Sequence, residues 1–383
     1  MSKTKVIIKS CEEYHAGKVK RNIGDIIDSL GGISRYIKRG DRVLLKPNLL
    51  QNKPVEKAVT THPLIIRAVA EIVKDAGGEV IVGDSPGIGS ALSIAEKSGL
   101  TPFIERLGGK IVNFEERIEV KTPEHFVFKR FEIAKAVTES DLIINLPKIK
   151  THAQMYLTLA VKNLFGCVVG KRKVQWHFMA GRDVDYFATM LVELHQMVNS
   201  RLTIVDGITA MEGNGPGSGT PRDIGILLGG EDCVAIDRVI CEILGAKPAN
   251  LRTLVMAEKL AIGEPRLENI SLDGDPLDSV RVNDFKMANS VPLETMGLPG
   301  FLGRYFKNAF TSKPAIDNSR CTLCLTCLDS CPVEVISRKK GKSDALKIDS
   351  RNCIRCFCCQ ELCPDSAINV KKGWCLRIAD LIR

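Results

Sequence analysis

Short apolar runs recur through residues 1–288, each followed by a polar stretch and then by a segment whose apolar residues return every three or four positions. Val6-Ile7-Ile8, Val43-Leu44-Leu45, Val80-Ile81-Val82, Leu142-Ile143-Ile144, Leu202-Thr203-Ile204-Val205 and Ile224-Gly225-Ile226-Leu227 are the runs expected to form strands. Pro63–Ala76, Tyr186–Asn199 and Cys233–Leu244 carry the helical period. Runs without polar alternation suit strands buried on both faces, and strands alternating with helices build a largely parallel sheet. The expected fold is α/β, a large layered domain with a mostly parallel sheet. From 289 to 315 the periodicity fades, and Pro292, Gly297, Pro299, Gly300 and Pro314 mark a linker. Inside it, Phe301 to Phe310 offers aromatics on one side of a short helix and basic residues on the other. Packing between domains is its expected role, with attachment to a membrane surface as the alternative.

The polar stretches gather where these strands end. Lys46 and Asn48 follow the second run, Asp84 and Ser85 the third, and Asn145 to His152 the fourth; Asp206 follows the fifth, with Glu212 soon after. In an open parallel sheet, ligands bind in the crevice beyond the carboxyl ends of the strands. Lys46, Asn48, Asp84, Ser85, Lys150, Lys162, Asp206 and Glu212 are therefore expected to edge a small-molecule site. Lys148 and His152 are the candidates for catalysis there, His152 as an acid–base group or metal ligand. Lysines at a strand end suit a carboxylate or phosphate, so a small anionic substrate is expected. Plainer readings stand beside these. Gly83–Gly87 also reads as a turn, with Asp84 or Ser85 capping a helix that begins near Ser90. Glu212–Gly219, with four glycines, is a surface loop or a lid. The threonines before His62 account for that histidine as part of a helix start, and His177 is a weaker candidate than His152. The chain has neither a Walker A sequence, nor Gly-x-Gly-x-x-Gly, nor a paired-histidine zinc spacing.

The C-terminal region carries a different signal. Cys321, Cys324, Cys327, Cys331 and Pro332 are repeated as Cys353, Cys356, Cys359, Cys363 and Pro364, a shift of 32 positions. The same shift superposes Ile316-Asp317 on Ile348-Asp349, Ile336 on Ile368, and Lys339-Lys340-Gly341 on Lys371-Lys372-Gly373. A fixed period implies two copies of one unit, each expected to run as loop, short helix opened by the proline, then strand. Cys-x2-Cys-x2-Cys-x3-Cys-Pro is the spacing of two-cluster bacterial ferredoxins, in which the fourth cysteine ligates the other cluster. Two [4Fe–4S] clusters are thus expected, one on Cys321, Cys324, Cys327 and Cys363, the other on Cys353, Cys356, Cys359 and Cys331. Structural zinc would instead use separated Cys-x2-Cys pairs. Residues 316–373 are the expected small α+β ferredoxin-like domain, followed by a tail at 374–383. Cys11, Cys167, Cys233, Cys241, Cys358 and Cys375 fall outside this register and default to small buried hydrophobes.

Composition changes the picture little. At 383 residues, with 44% hydrophobic and 26% charged, the chain is an ordinary globular one. The formal charge of +9 falls to about +5 once two oxidised clusters at about −2 each are included. No basic-aromatic strip points to nucleic acid, no apolar run approaches a membrane span, and the start leads into a strand instead of a secretory signal. Reduced thiolates suit the cytoplasm.

Together, Leu45-Lys46-Pro47-Asn48-Leu49, Thr61-His62-Pro63, Gly83-Asp84-Ser85-Pro86-Gly87, Lys148-Ile149-Lys150-Thr151-His152, Val161-Lys162-Asn163-Leu164-Phe165-Gly166 and Met211-Glu212-Gly213-Asn214-Gly215-Pro216 resemble the domain-of-unknown-function family 362. The form that matches carries a C-terminal two-[4Fe–4S] ferredoxin domain, and Cys353-Ile354-Arg355-Cys356-Phe357-Cys358-Cys359 is similar to it as well. The resemblance covers nearly the whole chain and implies the domain plan and an iron–sulfur protein, with no catalytic residue to carry over. Three functions stay open. The clusters exchange single electrons with a small-molecule site or partner at the α/β domain; or the chain is a plain electron carrier with the α/β domain as docking platform; or the clusters are structural, sensory or part of metallocofactor assembly. The first is favoured because a plain carrier needs no large companion. It makes the chain a possible iron–sulfur oxidoreductase, fed by a redox partner protein since no nicotinamide or flavin motif is present.

Overall fold

The structure is a computed structural model that describes residues 3–170, 172–288, 312–339 and 341–373. Most of the expected linker, the aromatic segment at 301–310, and the tail with Cys375 lie outside the described residues. The strands run β1 (Thr4–Ser10), β2 (Arg42–Pro47), β3 (Glu79–Asp84), β4 (Lys110–Asn113), β5 (Arg117–Lys121) and β6 (Arg130–Ala134). β7 (Leu142–Leu146), β8 (Lys148–His152), β9 (Tyr156–Thr158), β10 (Leu202–Glu212), β11 (Thr220–Gly230) and β12 (Ile270–Gly274) follow. A 10-stranded sheet has the order β12-β1-β11-β10-β7-β2-β3-β4, with β8 pairing β10 and β9.

The sheet is mostly parallel, as the apolar runs predict. β2 pairs in parallel with β3 and β7, β3 with β4, and β10 with β7 and β8. The sixth run departs from that pattern: β11 is antiparallel to both β1 and β10. Strand alternation divides the core. Val43 and Leu45 pack with Ile7, Val80, Val82 and Ile144 beneath helices Ala16–Ser29 and Pro63–Asp75. Leu44 packs with Ile8, Ile81 and Ile143 on the opposite face, beneath helices Val184–Val198 and Cys233–Ile243.

Three local expectations are corrected. His62, not the threonines, caps helix Pro63–Asp75 by accepting from Leu64 N, and Pro63 suits the first turn. Thr61 instead donates to Leu146 O at 2.6 Å, fastening the helix start to a strand end. Ser90 caps helix Ala91–Lys97 in a reciprocal box with Ser93, which leaves Asp84 and Ser85 free for other partners. Lys148–His152 is a strand and not a strand-end loop. Pro147 interrupts the run, and β8 then resumes beside β10, where a one-face apolar pattern gives way to lysines and histidine turned inward.

The repeated region builds two small sheets. β13 (Lys313–Ile316) pairs with β16 (Ile368–Lys371), and β14 (Ile336–Lys339) with β15 (Lys342–Ile348). Ile316 faces Ile368 and Ile336 faces Ile348, so each copy's leading strand pairs with the other copy's trailing strand. The helices are placed differently from expectation. They are Thr326–Asp329 and Cys358–Glu361, which precede Pro332 and Pro364 and carry the third cysteine of each set. The prolines open turns leading into β14 and β16.

Candidate functional site

Each cysteine loop is wound by the same backbone device. Leu323 and Arg355, Leu325 and Phe357, and Glu334 and Ser366 have positive φ at matching positions of the two copies. Left-handed backbone costs a non-glycine residue about 1 kcal/mol or more, so its recurrence marks a loop shaped around something. Cys321, Cys324, Cys327 and Cys363 line one hollow, and Cys331, Cys353, Cys356 and Cys359 line the other. Backbone N–H groups already aim at sulfur: Ala367 N reaches Cys363 Sγ at 3.2 Å and Arg355 N reaches Cys353 Sγ at 3.4 Å. Among the described residues no three His, Cys, Asp or Glu side chains converge for a single bare ion. Four thiols ringing each hollow, with N–H donors to sulfur, fit the donor set of a [4Fe–4S] cluster. The hollows differ in access: Cys324 is exposed, whereas Cys353, Cys356 and Cys359 are each 7% exposed.

The repeated region docks against the carboxyl end of the large sheet through polar contacts. Gln51 donates to Glu361 O, Lys53 Nζ to Ser366 Oγ at 3.0 Å, and Gln360 Nε2 to Asn214 O at 2.9 Å. Arg182 binds the carbonyls of Arg351 and Cys353 at 2.7 and 2.9 Å. The Glu212–Gly219 loop is thus a docking edge, with Gly215 O also accepting from Gln360.

Between the two regions lies a cavity of about 610 Å³. Its sheet-side wall includes Asn48, Asp84, Ser85, Lys150, Thr158, Lys162, Lys173 and His177. Its other wall is formed by Thr326 and Asp329 of the first cysteine helix with its C-cap Ser330, and by Cys358 and Glu361 of the second with its C-cap Leu362. These are the same three positions of the repeat, so both helices turn equivalent faces to one cavity. One residue along, Cys327 and Cys359 face the hollows instead.

The buried charges fall into two groups. Lys148 is bound by Asp206 at 2.9 Å and by the Tyr14 hydroxyl at 2.6 Å, and Tyr14 donates to Asp206 at 2.7 Å. Lys46 is bound by Asp84 at 2.9 Å, which also accepts from Leu49 N and Ser85 N. Gly166 makes that pair possible, since a side chain there would collide with both partners. The second group faces the cavity. Lys150 donates to Asn48 and Val59 O, both at 2.7 Å, and burial lowers its pKa to about 7. Lys173 donates to Ser85 O, and burial lowers its pKa to about 8. Lys162, 8% exposed, has the Phe165 ring at 5.9 Å and Glu361 and Cys358 within electrostatic reach, with no hydrogen-bond acceptor among the described residues. Thr158 Oγ1 and His177 Nδ1 are likewise buried without a partner.

His152 is held neutral. Burial lowers its pKa to about 4, and its Nδ1 accepts from Gln154 N and Met155 N at 3.0 and 3.1 Å. Its proton therefore sits on Nε2, which faces Glu361 at 3.5 Å. Burial pushes the Glu361 carboxyl upward, but Lys162 and the imidazole N–H outweigh it and keep the acid ionised.

The structure brings Asn48, Asp84, Ser85, Lys150 and Lys162 of the sequence-predicted set to the cavity, and leaves Lys46, Lys148, His152, Asp206 and Glu212 off its lining. Glu212 accepts from Lys286 N at 3.0 Å. Sequence reasoning missed Thr158, Lys173, Cys358 and Glu361, and ranked His177 low. The signal for Cys358 and Glu361 lies in the repeat, where they align with Thr326 and Asp329.

A doubled thiol framework docked on an α/β sheet defines an iron–sulfur protein of the dicluster class. Residues 313–364 match the 4Fe-4S dicluster domain, and residues 43–242 match the domain of unknown function DUF362. The chain belongs to the DUF362 family. It is 38% identical over 310 residues to the thylakoid-associated protein sll1697 of Synechocystis sp., covering 81% of this chain and 95% of that protein. The lactate racemase apoprotein from Thermoanaerobacterium thermosaccharolyticum overlaps it with a TM-score of 0.37 at 13% identity, over 60% of this chain and 54% of the racemase. The chain thus spans about half the length of that structure. No helix among the described residues is long and apolar enough to cross a membrane.

Proposed function

We propose that the chain is an electron-transfer protein in which two [4Fe–4S] clusters exchange single electrons with a small anionic molecule held in the cavity. Cys321, Cys324, Cys327 and Cys363 hold one cluster, and Cys331, Cys353, Cys356 and Cys359 the other. Such clusters supply one-electron chemistry at low potential. The observation that carries this reading is the shared wall: both cysteine helices border the cavity on one side and the thiol hollows on the other. A cavity of this size, mixed in lining and set at a domain junction beyond strand ends, suits a small ligand.

The chain's own groups bind and orient that ligand. Lys150, Lys162 and Lys173 supply positive charge, while the docked helices exclude water. Lys148 and His152 serve from behind the wall: Lys148 through its pair with Asp206, and His152 by presenting Nε2–H to Glu361. Electrons arrive from a redox partner protein on the side of the exposed Cys324. Reduced thiols place the protein in a reducing compartment, and we assign the cytoplasm.

Anaerobic titration of the holoprotein with dithionite, followed by electron paramagnetic resonance, tests the reading. Reversible signals integrating to about two spins per chain are expected for a pair of one-electron centres. Clusters that resist reduction, or that break down on the first cycle, exclude it.

A further inference from the structure

Two buried polar atoms on the cavity wall lack partners, Thr158 Oγ1 and His177 Nδ1, and Lys162 on the same wall makes no hydrogen bond among the described residues. Thr158 and His177 are each 4% exposed, so water does little to compensate those two atoms, and the Lys162 side chain is 8% exposed. A buried polar atom without a partner costs about 1–3 kcal/mol, and more if charged, so their clustering on one wall needs an explanation. All three can donate, given a proton on His177 Nδ1, and donors of this kind serve an oxyanion. His177 is held in place by stacking on Phe187 at 4.3 Å between ring centres and by the edge of Phe165.

Opposite them stands a thiol. Cys358 is 4% exposed, lines the cavity, and lies within the electrostatic reach of Lys162. Its thiol touches that of Cys356, but it does not line the hollow ringed by Cys331, Cys353, Cys356 and Cys359. In the first copy its place is taken by Thr326, which also lines the cavity, so the position belongs to the ligand side of the helix. The apolar remainder of the wall, including Leu49, Leu50, Phe165 and Val174, leaves room for a carbon skeleton between thiol and donors.

We infer that the cavity binds a small organic oxyanion, a carboxylate or a phosphate ester, whose charged end is gripped by Lys162, Thr158 and His177 and whose opposite end rests against the Cys358 thiol. This deepens the small-molecule reading above and rests on it. Cys358 is a contact of the ligand and not a ligand of iron. The docked helix Cys358–Glu361 therefore does two things: Cys359 faces the thiol hollow while Cys358 closes the site.

Two alkylating agents that differ in charge test this on the anaerobically prepared, cluster-loaded full chain. Iodoacetate carries a carboxylate and iodoacetamide does not; each is applied briefly and the labelled cysteine identified by peptide mass spectrometry. After normalising to glutathione, Cys358 should react with iodoacetate about tenfold faster than with iodoacetamide, because local positive charge concentrates the anion. Malonate or inorganic phosphate should protect Cys358 saturably. Lys162→Met should abolish the preference and Lys162→Arg should largely restore it. Cys358→Ala or Cys358→Ser should keep about eight iron atoms per chain, as two four-iron clusters require. The inference is overturned if Cys358 stays unlabelled, if the preference survives Lys162→Met, or if both Cys358 variants lose iron. Labelling does not depend on electron flow. Failure of the dithionite titration with anion-steered labelling intact would sink the redox reading and leave this site standing.

Discussion

Two sets of buried lysines sit at the same sheet edge and behave differently. Lys46 and Lys148 each have a carboxylate at 2.9 Å and further hydrogen bonds, so their charge is spent inside the protein. Lys150, Lys162 and Lys173 have carbonyls, an amide or nothing, and they border a cavity. Burial of a charge is tolerated in the first set because it is neutralised on the spot. In the second no carboxylate among the described residues lies within ion-pair distance, and burial lowers the pKa of Lys150 to about 7 and of Lys173 to about 8; burial lowers Lys148 as well, but there Asp206 at 2.9 Å opposes it. Paired charge in this molecule builds the scaffold, and unpaired charge marks the site.

The comparison can be broken most forcefully from the scaffold side. Asp206→Ala strands Lys148 in the core and should lower stability by about 3–5 kcal/mol in denaturant unfolding. Lys162→Met removes a charge that makes no hydrogen bond or close ion pair among the described residues; Glu361, which that charge helps keep ionised, still faces His152 Nε2 and can take up a proton instead. The variant's unfolding free energy should stay within about 1 kcal/mol of the parent while malonate affinity, read by calorimetry, falls about tenfold or more. Equal destabilisation by both substitutions would erase the distinction.

A pH series sharpens it. Lys150 and Lys173, with folded pKa values of about 7 and 8, face Asp84, Glu361, Lys46 and Lys162. A bound anion favours their charged form, so binding takes up protons. Affinity should be highest below pH 7 and fall as pH rises past 8, by up to about tenfold per unit for each lysine. For the empty protein the unfolded chain binds more protons from those folded values up to about 10.5, so stability should rise with pH across that window. Flat affinity from pH 6 to 9 would contradict the assignment. The smallest effect belongs to Tyr14→Phe. It removes one hydroxyl from the Lys148–Asp206 pair without removing a charge, and should cost about 1 kcal/mol in the same unfolding measurement.

How much of this could be read from the chain depends on how local each feature is. The eight cysteines and their 32-residue period were legible because each Cys-x2-Cys-x2-Cys-x3-Cys-Pro set lies within a dozen residues. The parallel half of the sheet was legible from unbroken apolar runs. Lys150 and Lys162 were found by the strand-end rule, but β8 was mistaken for a loop because Pro147 hides the resumption of the strand. His152 looked available for acid–base work, yet two backbone N–H groups and full burial fix it as a neutral donor. Thr158 and Lys173 were missed because they join the site only when two regions dock, and Cys358 and Glu361 because the repeat that aligns them with Thr326 and Asp329 does not say what that face meets. The cysteine helices were placed after the prolines, when the third cysteine itself lies on the helix in each copy.

The central claim is that a bound anion and the clusters feel one another across the shared wall. Potentiometric titration of the holoprotein with and without saturating malonate measures that coupling directly. A negative charge beside the clusters disfavours an added electron, so at least one midpoint should move down by about 30–60 mV, where 59 mV is a tenfold change in affinity for a one-electron couple. The shift should vanish in Lys162→Met. Superimposable curves, with malonate shown to be bound, would contradict the account.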